Sequence, residues 1–257
     1  MSPLPDELLT AARTIKLTLA YDGANYAGWQ FQPHQPTIQG VLEQTLLTIT
    51  SESVRVVGAG RTDAGVHALG QVACFRTHCQ LPPEVLQKAL NAELPRDIVV
   101  LHAAQAPDDF HAIRDAHRKR YRYVIHDGRW RDVFSRNYAW QYRHRLDEQA
   151  MQRAAQALVG KHDFASFEAA GSERETSVRT VFELVVARTG EDCVTVEIEA
   201  DGFLYRMVRT IVGTLVEVGR AERPENWPGE VLAAIDRRAA GATAPPQGLF
   251  LVRVAYR

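Results

Sequence analysis

Asp63 lies in the run Gly58-Ala59-Gly60-Arg61-Thr62-Asp63-Ala64-Gly65-Val66-His67, a single carboxylate among three glycines, an arginine, a threonine and a histidine. A carboxylate held on a glycine-lined turn can attack an electrophilic carbon or take up a proton. The same residue types build phosphate loops, but the Gly-Lys-Ser/Thr of the Walker pattern is absent. The dinucleotide fingerprint fails too, because it needs glycine where Asp63 stands, and an anionic side chain there would repel pyrophosphate. Two readings stay open for Asp63: acceptor of an Asx-turn within its own loop, or catalytic group on a loop carried by a rigid scaffold.

Arg209 offers a partner. In Tyr205-Arg206-Met207-Val208-Arg209-Thr210-Ile211-Val212-Gly213, the residues Leu204, Val208, Ile211, Val212 and Leu215 form a helical apolar stripe. Arg209 flanks that stripe, and a guanidinium in such company needs a carboxylate or phosphate. Asp63 and Arg209 would make a sensible buried pair. Gly213, one turn further on, leaves room for another backbone or a ligand, while Arg206 reads as a side chain that snorkels to water. In Arg118-Lys119-Arg120-Tyr121-Arg122-Tyr123, strand alternation puts Tyr121 and Tyr123 on one face and Arg120 and Arg122 on the other. Tyrosines so spaced are either core residues with a wet hydroxyl or one ring offered to a base.

These cations belong to a wider pattern. Between Ala112 and Arg145, nine arginines and Lys119 face only Asp115, Asp127 and Asp132, with Tyr121, Tyr123, Trp130, Tyr138, Trp140 and Tyr142 interleaved. Guanidinium forks alternating with aromatic faces suit a phosphate backbone and unstacked bases; a solvated basic strand pair would look the same. The chain as a whole carries a formal net charge of −1, so composition alone nominates no polyanion. There is no HExxH, and His102, His111 and His117 lack ligand spacing. Cys74, Cys79 and Cys193 are too few for a disulfide framework and wrongly spaced for a metal knuckle. The expectation is a reduced, cytoplasmic protein without metal. Pro3, Pro5, Asp6 and Glu7 are unlike a signal peptide, and no apolar run is long enough to span a bilayer.

The elements that must position these groups follow from periodicity. Ile15–Tyr21 alternates as a strand, Thr37 caps a helix carrying Ile38, Val41, Leu42, Leu46 and Ile49, and Val54–Val57 is a short strand entering the Asp63 loop. Gly70–Arg76 and Ile98–Leu101 read as strands, with a helix opened by Pro82-Pro83 between them. Tyr121–Ile125 is a strand, Asp147 caps a helix through Leu158, and Val181–Ala187 with Cys193–Ile198 forms a hairpin. Leu204–Val218 and Val231–Arg238 read as helices, and Leu249–Tyr256 closes as a strand. With 257 residues, this predicts an α+β protein of two closely packed sheet-and-helix units divided within Pro107–Arg118, residues 1–110 and 111–257.

Several of these segments together resemble one family. Gly60–Ala68 and Gly70-Gln71-Val72 resemble the catalytic loop of the tRNA pseudouridine synthase A (TruA) family. Tyr21-Asp22-Gly23-Ala24-Asn25-Tyr26-Ala27-Gly28-Trp29-Gln30 resembles its N-terminal motif. Asp108–Ala112, Arg120–Tyr123, Asp163–Phe167, Met207-Val208-Arg209 and Gln247–Leu251 follow in family order over nearly the whole chain. The resemblance implies two RNA-recognition-like α+β halves packed around a central catalytic cleft, and a homodimer. It further implies isomerisation of uridines at tRNA positions 38 to 40, in the anticodon stem-loop, without cofactor or metal. It places the nucleophile on Asp63, the active-site tyrosine on Tyr121 and conserved arginines on Arg61 and Arg209. Arg120, Arg122 and His67 are expected to join Tyr121 and Arg61 in binding substrate. For Asp63 three first steps are open: attack at C1′, attack at C6, or removal of the 2′ proton. Two departures bear on RNA grip: Ile113 stands where members usually have arginine, and Glu168–Val178 fits poorly to the expected polar loop. A binding module with a dead site, a synthase aimed at another RNA, and an Asp63 hydrolase are the rival readings.

Overall fold

The computed structural model describes residues 11–171 and 176–257. Pro3, Pro5, Asp6 and Glu7, and the middle of the Glu168–Val178 stretch, lie outside the described residues. In chain order the elements are β1 (Arg13–Tyr21), α1 (Ile38–Thr50), β2 (Val57–Gly58), β3 (His67–Thr77), α2 (Pro83–Glu93), β4 (Ile98–Ala106) and β5 (Ala116–His126). There follow β6 (Trp140–Gln141), α3 (Glu148–Ala155), β7 (Gly160–Asp163), β8 (Val178–Gly190), β9 (Cys193–Ala200), α4 (Met207–Gly219), α5 (Trp227–Ala234) and β10 (Leu249–Tyr256). The class is α+β, as the mixed periodicities require.

Among the described residues all ten strands belong to one mostly antiparallel sheet, ordered β4-β1-β3-β10-β5-β9-β8-β7, with β2 added on β3 and β6 on β5. The strands of the two expected units therefore run on into each other. The element that joins them is β10, which pairs in parallel with β3 at His67 and Ala68 and antiparallel with β5 along its length. Its sequence, Leu249-Phe250-Leu251-Val252, is apolar enough to sit between two neighbours, and Leu249 and Leu251 are buried.

The core lies between this sheet and the helices. Ile15, Leu17 and Leu19 of β1 alternate inward beneath Ile38, Leu42 and Leu46 of α1, and Tyr123, Ile125, Val196 and Ile198 do the same beneath α4. Helix starts follow local chemistry. Thr37 Oγ1 accepts from Gly40 N (3.2 Å), and Asp147 accepts from Gln149 N and Ala150 N. The strand expected at Val54–Val57 is confined to Val57–Gly58, and two helix starts differ from the periodic reading. The helix carrying Arg209 begins at Met207 rather than Leu204, because Arg206 adopts a left-handed conformation (φ 59°) that ends the preceding turn. The helix expected at Val231–Arg238 instead spans Trp227–Ala234, started by Pro228 in its first turn and stopped by left-handed Ile235.

Candidate active site

The Asp63 loop runs from β2 into β3 and is fixed from three sides. From below, Gln71, fully buried, donates from Nε2 to Gly60 O (2.7 Å), while its Oε1 accepts from Gly60 N (3.3 Å). Tyr21 Oη lies 2.8 Å from Thr62 Oγ1, and burial pushes this phenol up to about 12, so it stays a neutral hydroxyl. From the side, the segment after β1 leans on the loop backbone. Trp29 N donates to Thr62 O (3.0 Å) and Gly65 N to Tyr26 O (3.3 Å). Gly28 makes this approach possible, since at φ 98° a Cβ would stand 2.6 Å from Thr62 O. From the second half of the chain, Lys119 Nζ donates to Ala59 O (2.7 Å).

This bracing rules out the Asx-turn reading of Asp63. Its backbone carbonyl accepts from Val66 N (3.1 Å) and Gly65 N is taken by Tyr26, so the side chain is not the acceptor of an Asx-turn. Instead Asp63 Oδ2 accepts from Arg209 Nη1 at 2.8 Å. Arg209 is 9% exposed, and its Nε donates to Ala244 O (2.7 Å), while Ala244 N donates back to Arg209 O (3.0 Å). Gly213 is what lets residues 242–244 lie so close to α4, because a Cβ there would come within 1.7 Å of Ala242 O. The room that glycine leaves is occupied by backbone, and that backbone aims the guanidinium.

Asp63 opens on a cleft of about 1000 Å³ whose walls come from both halves of the chain: Arg61 and Thr62 beside it, Lys119 and Tyr121 of β5, and Phe203 to Arg209. Tyr121, 8% exposed, meets Phe203 edge-on with ring centres 5.0 Å apart, and its hydroxyl lies over Gly60, where a Cβ would come within 3.2 Å. Arg61 and Arg206 are exposed on the rim, and Arg206 lies 4.8 Å from the Tyr205 ring centre. Ile113 lines the same cleft, so an apolar side chain occupies this stretch of wall. The arrangement can hold a planar base against an aromatic wall, with a paired carboxylate beside it and cations at the entrance.

Three residues expected to bind substrate are elsewhere. His67 is 2% exposed: β3 begins there and turns the ring inward, where it stacks on Phe250 (4.8 Å) with Nδ1 3.1 Å from Gly23 N. Arg120 and Arg122 lie on the opposite face of β5 from Tyr121 and bind acids of β8 and β9. Arg120 reaches Glu183, Glu197 and Glu199, and Arg122 reaches Glu197. The cation that β5 does bring to the cleft is Lys119. The same alternation that grouped Tyr121 with Tyr123 also places Lys119 with them, which is the signal that could have found it. Phe203 had no such signal, being one more apolar residue before an apolar helix.

The family profile described as tRNA pseudouridine synthase matches residues 18–114 and 154–257, which include Asp63, Arg209 and most of the cleft. The chain belongs to that family. Relatives at high identity agree with it. The tRNA pseudouridine synthase A of Moorella thermoacetica is 51% identical over 245 residues, covering 94% of this chain and 99% of that protein. That of Thermoanaerobacter sp. strain X514 is 46% identical over 244 residues, covering 95% and 100%. A chain of the Cbf5-Nop10-Gar1 complex is a remote structural likeness (12% identity, 92% of this chain and 57% of that one, TM-score 0.37), too remote to support any inference. The protein is thus an RNA-binding tRNA pseudouridine synthase, an enzyme that isomerises uridine in tRNA.

Proposed function

We propose that the cleft converts uridine to pseudouridine at positions 38 to 40 of the tRNA anticodon arm, with Asp63 as the reacting carboxylate and without cofactor. The observation that carries this is the Asp63–Arg209 pair at 2.8 Å on the wall of a cleft that also holds Tyr121. In the reaction the N1–C1′ bond breaks, the uracil turns, and a C5–C1′ bond forms. N1 gains a proton and C5 loses one, so atoms and electrons balance within the nucleotide. A stacked base cannot turn, and its extrusion costs a few kcal/mol. Arg61, exposed at the rim, holds the extruded conformation. Asp63 acts at C1′, at C6 or on the 2′ proton, and Arg209 fixes which carboxylate oxygen is presented. Tyr121 stacks on the uracil and assists removal of the C5 proton. The chain works as a cytoplasmic homodimer of two RNA-recognition-like halves divided near residue 110.

The test is tritium release from unmodified tRNA labelled at uracil C5, with no cofactor added and EDTA present. Release by the wild-type protein that vanishes in Asp63→Asn, with tRNA binding largely kept, is the expected result. Pseudouridine formed by that variant would remove Asp63 from the chemistry, and absence of release from several tRNAs by the wild type would overturn the tRNA assignment.

A further inference from the structure

Residues 128–138, between β5 and β6, form an arm with an unusual surface. Trp130 is 74% and Phe134 89% exposed, with Val133 exposed beside them. Apolar rings grouped in water mark a surface meant to be covered. Arg129, Arg131 and Arg136 share the arm and are exposed, and among the described residues none has a carboxylate partner. That sets them apart from Arg118, Arg120, Arg122 and Arg253 behind the sheet and from Arg188 and Arg153, all of which are paired with acids. The Arg129 guanidinium lies 5.0 Å from the Trp130 ring centre.

We propose that this arm is a second RNA-binding surface, which holds phosphates on Arg129, Arg131 and Arg136 and stacks a base on Trp130 or Phe134, outside the nucleotide that reacts. The inference rests on the tRNA reading above. Three unneutralised guanidinium groups are complementary to a polyanion, and aromatic rings between them suit an unstacked base. A second copy docking arm to arm is disfavoured by the same charges. The arm's one acid, Asp132, accepts from Phe134 N (2.9 Å) and forms no ion pair with the three arginines, so the arm stays net positive. The arm is also pre-shaped, which lowers the ordering cost of binding. Gln141 binds Asp132 N and Ser135 Oγ, Asn137 O lies 2.9 Å from His67 Nε2, and Tyr138 Oη donates to Asp22 Oδ2 (2.7 Å). Its root is thus anchored to the first half of the chain behind the Asp63 loop, at sites that never touch the cleft.

Two variants test it, Trp130→Ala/Phe134→Ala and Arg129→Gln/Arg131→Gln/Arg136→Gln, with melting temperature and light scattering as controls. The expected result is a KM for full-length tRNA raised about tenfold or more with kcat within about twofold, and a matching fall in direct tRNA binding. In the arginine variant the dependence of log K on log salt should also flatten, by up to about 0.9 for each phosphate that is no longer neutralised. Unchanged KM, tRNA affinity and salt slope would overturn the proposal, as would a shift to smaller assemblies that accounts for the whole effect, which would assign the arm to a protein interface. If the wild type releases no tritium the isomerase reading fails, while filter binding of tRNA to the same variants still decides the arm.

Discussion

Two acceptors hold the Arg209 guanidinium, Ala244 O on Nε and Asp63 Oδ2 on Nη1, so both its position and its plane are set. Lysine offers a point charge in place of this planar fork. In Arg209→Lys we therefore expect kcat to fall by about 100-fold or more, with KM for tRNA much less changed. Single-turnover assays at saturating enzyme check this; a variant as fast as wild type would show that charge alone suffices. The pairing itself is legible in the sequence, since a carboxylate on a glycine turn and an arginine flanking an apolar stripe each lack a partner there. His67 departs from expectation for a physical reason. Closeness to Asp63 in sequence says nothing about the first strand residue, whose side chain here turns into the core. Lys119 is masked by the arginines beside it, which alternation sends to the far face.

At the scale of elements, α4 and the segment 242–244 are a single device for aiming that arginine. Gly213→Ala would drive a Cβ to 1.7 Å from Ala242 O, so segment and helix must separate. A destabilisation of about 3 kcal/mol or more is expected, at the upper end for single substitutions. Activity should fall further than the folded fraction does, because the acceptor of Arg209 Nε moves with the segment. Denaturant titration beside the tritium assay separates the two; a fully active variant of normal stability would mean that the segment yields freely. Helix existence is readable from period and caps, as at Thr37 and Asp147. The true start of α4 is not, because apolar Leu204 continues the stripe while the left-handed turn at Arg206 depends on packing that periodicity does not encode.

For the molecule as a whole, the far face of the sheet carries its own charge balance. Burial alone would raise the Glu199 carboxyl, but hydrogen bonds from Arg253, Arg118 and Arg120 outweigh it and hold the group down at about 2. A carboxyl depressed in the folded state contributes stability above its unfolded value, near the ordinary 4.5, and that contribution is lost as pH falls toward about 2. We expect melting temperature to drop through this window by the equivalent of about 3 kcal/mol, and the drop to shrink in Glu199→Gln. An identical acid profile for both proteins would show that the network adds no stability. Class and strand content can be read from sequence, whereas strand order cannot: nothing in Leu249–Tyr256 announces that it lies between β3 and β5.

That placement of β10 has a consequence for how the molecule comes into being. Strands are synthesised in chain order, and β3 and β5 leave the ribosome long before the strand that must separate them. Until then each presents an open edge, the kind of surface that pairs with wrong partners. Leu249 and the neighbouring Pro246, whose ring lies 3.1 Å from where a Cβ on Gly65 would stand, also reach the Asp63 loop only at that stage. A nascent chain therefore carries Asp63, Tyr121 and Arg209 for some time before β10 completes the wall of the cleft.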